Sequence, residues 1–172
     1  IMLVKQIVEN ETEPVIVVVS ALGGVTDMLI HIAQMASSGD RAFENEFEAL
    51  VHRHEQMIRA VIPSGTSRKR TLYRKIHALL DELHDIYHGL YLLKDIAQGM
   101  EDTVVSYGER MSSLIVSSLI DSAVLYDARS FMKTEDKGGK HMLCRDVSEE
   151  LIRQSFAQPT AGPVIVPGFI SS

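Results

Sequence analysis

Apolar positions fall at helical spacing from the first residue: Ile1, Val4, Ile7 and Val8 share one face, with no Ser, Thr, Asp or Asn cap before them. Pro14 then opens the β-branched run Val15 to Val19, which has no polar alternation and predicts a strand buried on both faces of a parallel sheet. Gly23-Gly24 end it, and Thr26-Asp27 read as the cap and first turn of a helix reaching about Met35. After the loop Ser37 to Asp40 the period becomes purely helical. Phe43 is followed by Phe47, Leu50, Val51, His54, Met57, Ile58 and Val61. Leu72 is followed by Ile76, Leu79, Leu80, Leu83, Ile86, Tyr87 and Leu90 at the same offsets. Pro63-Ser64-Gly65 separates the two runs, so the pattern predicts an antiparallel helical hairpin over about 40–97.

Beyond Gly99 a helix is expected from about Asp102 to Asp121, its apolar face carrying Met111, Leu114, Ile115 and Leu119. Ser112, Ser113, Ser117 and Ser118 are small enough to let a neighbour approach closely. Short strands are expected at Val124 to Ala128 and Phe131 to Thr134, a turn at Lys137 to Lys140, and a helix capped by Asp146 or Ser148 that reaches Ala157. Val164 to Val166 is the last strand. Strands alternating with helices predict an α/β layered fold with a mainly parallel sheet, from which the hairpin is an excursion. The chain opens inside an amphipathic helix and stops just past a strand, so both ends read as cut.

Composition narrows the function classes. Seventeen Lys and Arg against 23 Asp and Glu give a net charge of −6, and the basic residues are scattered apart from Arg68-Lys69-Arg70. That triplet reads as a solvated helix start, and no broad cationic footprint for nucleic acid remains. No apolar stretch approaches the roughly 20 residues of a membrane span, so no membrane partner is expected. Cys144 is the one cysteine, which excludes an internal disulfide and suits a reducing, cytoplasmic setting.

Two loops carry candidate chemistry. Ser20-Ala21-Leu22-Gly23-Gly24-Val25-Thr26-Asp27 joins a strand end to a helix N-terminus, where ligands of α/β sheets collect and free N–H groups favour an anion. Ser20, Gly23 and Gly24 are thus candidates for an anion-binding loop, although the segment is neither a Walker A sequence nor a dinucleotide fingerprint. A tight turn plus a helix cap accounts for the same residues. Ser106-Tyr107-Gly108-Glu109 has capping-box spacing, so Glu109 either reaches back to a helix start or holds a substrate ammonium group. His84 and His88 lie four apart on a helix face that reads as solvated, with no third metal ligand fixed. His54 falls on the apolar seam and reads as a satisfied core histidine, and nothing placed near Cys144 would activate it.

Taken together, Val17 to Asp27, Val105 to Ser113 (Val-Ser-Tyr-Gly-Glu-Arg-Met-Ser-Ser) and Val166 to Ile170 (Val-Pro-Gly-Phe-Ile) resemble the aspartate kinases. The order and approximate spacing match over essentially the whole chain. The helical insert and Tyr126 to Arg129 look most like the kinase part of bifunctional aspartokinase–homoserine dehydrogenases. The resemblance implies that residues 1–172 are part of one amino-acid-kinase domain, a three-layer α/β/α sandwich. It implies transfer of the ATP γ-phosphoryl group to the side-chain carboxylate of L-aspartate, giving 4-phospho-L-aspartate. It assigns substrate contact to Thr26 and Glu109, and no catalytic residue or metal ligand within this segment. The family's opening phosphate loop would precede Ile1, and most of its nucleotide site would follow Ser172. ATP and Mg²⁺ are therefore expected for the complete enzyme but not as firm ligands here, and the segment alone is expected to be inactive. Unpaired sheet edges lead us to expect a homo-oligomer. A glutamate-type amino-acid kinase, or a non-enzymatic module working through the hairpin seam, are the alternatives.

Overall fold

The computed structural model describes residues 1–97, 99–138, 141–168, 170 and 171. Gly139 and Lys140 of the expected turn, and Phe169 of the last motif, lie outside them. The described chain runs α1 (Met2–Glu9), β1 (Ile16–Val19), α2 (Val25–Ser37), α3 (Phe43–Val61), α4 (Ser67–Leu93), α5 (Met100–Leu119) and β2 (Val124–Leu125). A 3₁₀ turn (Ala128–Ser130), β3 (Thr134–Asp136), β4 (His141–Leu143), α6 (Arg145–Ser155) and β5 (Val164–Pro167) follow.

A parallel sheet in the order β1-β5-β2 forms the middle layer. Ile16 pairs with Val164 and Val124 also pairs with Val164, so β5 is the central strand and all four of its residues are buried. On one face Val17, Val19, Leu125 and Ile165 pack against Val8 of α1 and Val116 of α5. On the other, Val164 and Val166 pack against Leu151 and Ile152 of α6 and Phe131 beside the 3₁₀ turn. That is the expected α/β/α layering. One expectation fails within it. Ile16 and Val18 point to the α6 face but are 53% and 67% exposed, because α6 covers β5 and stops short of β1. β1 is therefore buried on one face only.

The hairpin is present, but it is not an excursion. Phe43, Leu50 and Ile58 of α3 and Leu72, Ile76, Leu80, Leu83 and Leu90 of α4 share one core with α2 and α5. Tyr87 Oη of α4 donates to the Leu29 carbonyl of α2 at 3.0 Å, tying the insert to the first crossover helix. The seam faces inward, which removes the reading in which it is a working surface. α5 is the spine of the molecule. Val104, Tyr107, Met111 and Ile115 face the helical core, and Val116 with Ile120 faces the sheet. Ser112 and Ser113 are buried there, as their size allows.

The remaining differences have local causes. Asp127 accepts the Arg129 N–H at 3.0 Å and turns the chain into the 3₁₀ helix, while the Met132 N–H donates to the Ala128 carbonyl at 2.7 Å. These bonds hold residues 131–132 out of the strand expected there, and β3 begins only at Thr134. Ser148 does not cap α6. It is buried and its Oγ accepts the Lys133 N–H at 2.9 Å, fastening α6 to that segment. Likewise Gly24, not Thr26, occupies the N-cap of α2, with φ 77°. The basic triplet does open a helix, with Thr66 as cap and Arg68 bonded to Asp121 at 2.9 Å.

Candidate functional site

β1 and β5 run parallel, so their carboxyl ends lie side by side. The Gly168 N–H donates to the Val19 carbonyl at 2.7 Å. A Cβ on Gly168 would stand 3.1 Å from Val18 Cγ1 and 3.3 Å from the Val19 oxygen, so a larger residue would press the two chains apart by a few tenths of an ångström. Ser20 to Gly24 leaves β1 at this point and enters α2, with Ser20, Gly23, Gly24 and Thr26 all exposed. The turn closes through the Val25 N–H, which donates to the Leu22 carbonyl at 2.9 Å. The first intrahelical bond runs from the Met28 N–H to the Gly24 carbonyl, so the Thr26 N–H stands among the orphan donors of the first turn.

Glu109 comes to this loop from α5. A Cβ on Gly108 would lie 2.8 Å from the Ala21 Cβ and 3.2 Å from Leu29 Cδ1, so the bare backbone of Gly108 brings α5 against the loop. The adjacent Glu109 is buried at 8% exposure, and its Oε2 has no hydrogen-bond partner among the described residues. Burial pushes its pKa above the ordinary carboxylate value, against the downward pull of backbone N–H groups, its own and that of Ala21. The capping-box reading fails, because α5 starts at Met100 and Ser106 lies inside it, donating to the Thr103 carbonyl at 2.7 Å. A carboxylate raised in this way is poised to gain from a cation arriving beside it.

Two cations flank the site in different states. Arg110 turns away, its guanidinium 4.4 Å over the Tyr107 ring and 3.5 Å from Glu82 Oε2 of α4. Arg53 of α3 donates instead to the Gly23 carbonyl of the loop. Nothing in the sequence marks Arg53, which lies thirty positions away in a helix with only a heptad signal. Gly108 did carry a signal, being a lone glycine within a helical pattern.

The histidines stay outside the site. His54 is fully buried and its Nδ1 lies 2.9 Å from the Leu50 carbonyl, but Nε2 has no partner among the described residues, so the expected core histidine is only half satisfied there. His84 is not a purely solvated residue. It bonds Glu44 at 2.9 Å and packs 5.0 Å from the Phe47 ring. Among the described residues, no three His, Cys, Asp or Glu side chains converge to hold a metal ion. Nor is any described helix long and apolar enough to cross a membrane.

The profile of the amino acid kinase family matches residues 2–172. The chain belongs to that family. Among amino acid kinases it is 25% identical over 172 residues to the chloroplastic bifunctional aspartokinase/homoserine dehydrogenase of Daucus carota, covering 96% of this chain and 18% of that protein. It is 27% identical to lysine-sensitive aspartokinase 3 of Escherichia coli (strain K12), covering 96% of this chain and 36% of the relative. The solved E. coli aspartokinase III in complex with aspartate and ADP superposes with a TM-score of 0.80 at 25% identity. That match covers 98% of this chain and 37% of the solved one. The T-state of the same enzyme, in complex with lysine and aspartate, gives 0.81 at 24% identity, over 97% and 37% of the two chains. The chain thus spans well under half the length of the amino acid kinases it matches.

Proposed function

We propose that this chain carries the amino-acid side of an aspartate kinase site. The longer enzyme transfers the ATP γ-phosphoryl group to the side-chain carboxylate of L-aspartate, giving 4-phospho-L-aspartate. The observation that carries this reading is Glu109, a buried carboxylate with an oxygen unpartnered among the described residues, held against a glycine turn at the carboxyl ends of two parallel strands. In open α/β sheets that is where ligands gather. The amino acid kinase relatives named as aspartokinases, and the solved one complexed with aspartate and ADP, support the choice of substrate.

The residues suit the task. Glu109 receives the α-ammonium of aspartate in a charge-assisted hydrogen bond, which returns its raised pKa towards the ordinary range. Thr26, in the first turn of α2, offers its N–H or its hydroxyl to a substrate carboxylate at the positive end of the helix. The attacking carboxylate has a reference pKa near 3.9 and is already ionised at neutral pH, so the reaction needs no general base. It needs positioning and cationic cover, because one anion attacks another. ATP enters as the Mg²⁺ complex, a substrate. Arg110 is engaged with Glu82, so this chain holds little cover of its own and does not turn over ATP unaided.

The test uses the chain within its native flanking sequence. ADP release is followed with L-aspartate, with L-glutamate and with neither, beside Glu109→Ala. Aspartate-dependent release that falls at least a hundredfold in the variant supports the reading. Release that follows glutamate instead points to the other substrate class, and release that survives the substitution removes Glu109 from the site.

A further inference from the structure

Gly24 has φ 77° and ψ −3°, whereas Gly23 is not in the left-handed region, and the Val25 N–H closes onto the Leu22 carbonyl. Leu22 to Val25 is therefore a type II β-turn. Types I and II differ chiefly by a flip of the central peptide, here the one joining the Gly23 carbonyl to the Gly24 N–H. Two consecutive glycines give the backbone little bias between them, because neither orientation meets a Cβ. Something outside the turn must choose.

We infer that Arg53 makes that choice, as a positioning residue for the substrate's carboxylate. Its guanidinium donates to the Gly23 carbonyl, and among the described residues it has no acidic partner competing for it. The C=O and N–H of a trans peptide point in opposite directions. Holding the carbonyl towards α3 therefore aims the Gly24 N–H away from α3. Gly23 and Gly24 are both exposed and a Cβ built on either would meet nothing within 4 Å, so the turn has free space beside it for a ligand. The Gly24 N–H then joins the orphan N–H of Thr26 at the head of α2, and the two form a small nest for one carboxylate. A flip to type I would put a carbonyl oxygen where the anion binds. The insert helix thereby acts on the substrate loop without touching the substrate. The inference rests on the aspartate kinase reading for the identity of the anion, but not for the state of the turn.

Kinetics of the complete enzyme test the role. Arg53→Ala is expected to raise the KM for aspartate about tenfold with kcat within about twofold, the signature of lost ground-state binding. Arg53→Lys keeps a donor of similar reach and is expected to restore most of the loss. A bidentate grip on the substrate itself would not survive that change. Gly24→Ala disfavours the same turn through its positive φ, so adding Arg53→Ala to it should cost little more. An unchanged KM in Arg53→Ala, no rescue by lysine, or multiplying effects in the double variant would each overturn the inference. The turn itself is read without activity, from the Gly24 amide of ¹⁵N-glycine-labelled chain, identified by its loss in Gly24→Ala. Arg53→Ala should shift that signal and Arg53→Lys should not. If the wild-type enzyme ignores aspartate, the substrate reading fails, and this signal still decides the clamp: an unmoved amide overturns it.

Discussion

Gly108→Ala sets two known effects against each other within one helix. Alanine gains roughly 1 kcal/mol over glycine in a helix interior. The new Cβ, however, would sit 2.8 Å from the Ala21 Cβ and 3.2 Å from Leu29 Cδ1. Carbon atoms rest at about 3.5–4.0 Å, so the loop and α5 must part by ~0.7 Å or more. Overpacking of that kind costs about 1–3 kcal/mol. The balance is a net loss of roughly 0–2 kcal/mol, a fall in Tm of a few degrees for a chain this size. Function should suffer far more, because the parting moves Glu109 relative to Ala21. Misplacement on the order of 1 Å can cost about a hundredfold in rate. Thermal unfolding and aspartate-dependent ADP release, measured on the same preparation, show whether that disproportion exists. Gly89→Ala in α4 is the control, since a Cβ there meets nothing within 4 Å, and it should gain about 1 kcal/mol with activity unchanged. A Gly108→Ala protein that melts higher than wild type and keeps its aspartate kinetics would refute the close-approach argument.

Glu109→Gln should stabilise the fold at pH 7 while weakening aspartate binding. The folded-state pKa of Glu109 is raised by burial, so the folded state holds its proton longer and wild-type stability falls as pH rises through that window. The gain in the variant, on the order of 1 kcal/mol, should therefore be present at pH 7 and fade below pH ~4, as melting curves at the two pH values will show. His54 has the opposite sign. Burial lowers its pKa, so protons favour the unfolded chain as pH falls below about 6.5, and stability drops. His54→Leu should be near neutral at pH 7 and resist unfolding between pH 6 and 5, where wild type weakens; parallel urea midpoints that never diverge would contradict this. Tyr87→Phe removes the hydroxyl donated to Leu29 and should cost about 1 kcal/mol in urea unfolding, leaving aspartate kinetics intact.

Much of the architecture was legible in local pattern. The heptad runs of α3 and α4, the opening helix and the strands β1 and β5 follow from side-chain periodicity, which local backbone geometry imposes whatever the neighbours do. The glycine loop and Glu109 were legible as separate motifs for the same reason. Tertiary structure decided what pattern cannot carry. Periodicity marks the inner face of the hairpin but not its partner, and α2 and α5 complete that core. A run of valines looks alike whether covered on one face or two, and the reach of α6 leaves Ile16 and Val18 exposed. Asp127 and Ser148 spend their side chains on backbone N–H groups, which overrode strand propensity at 131–132 and the expected cap. The state of Glu109 came from packing alone, because burial is a property of what surrounds a carboxylate. So did the meeting of Arg53 with Gly23, since a side chain on a long insert finds its acceptor only once the helices have docked.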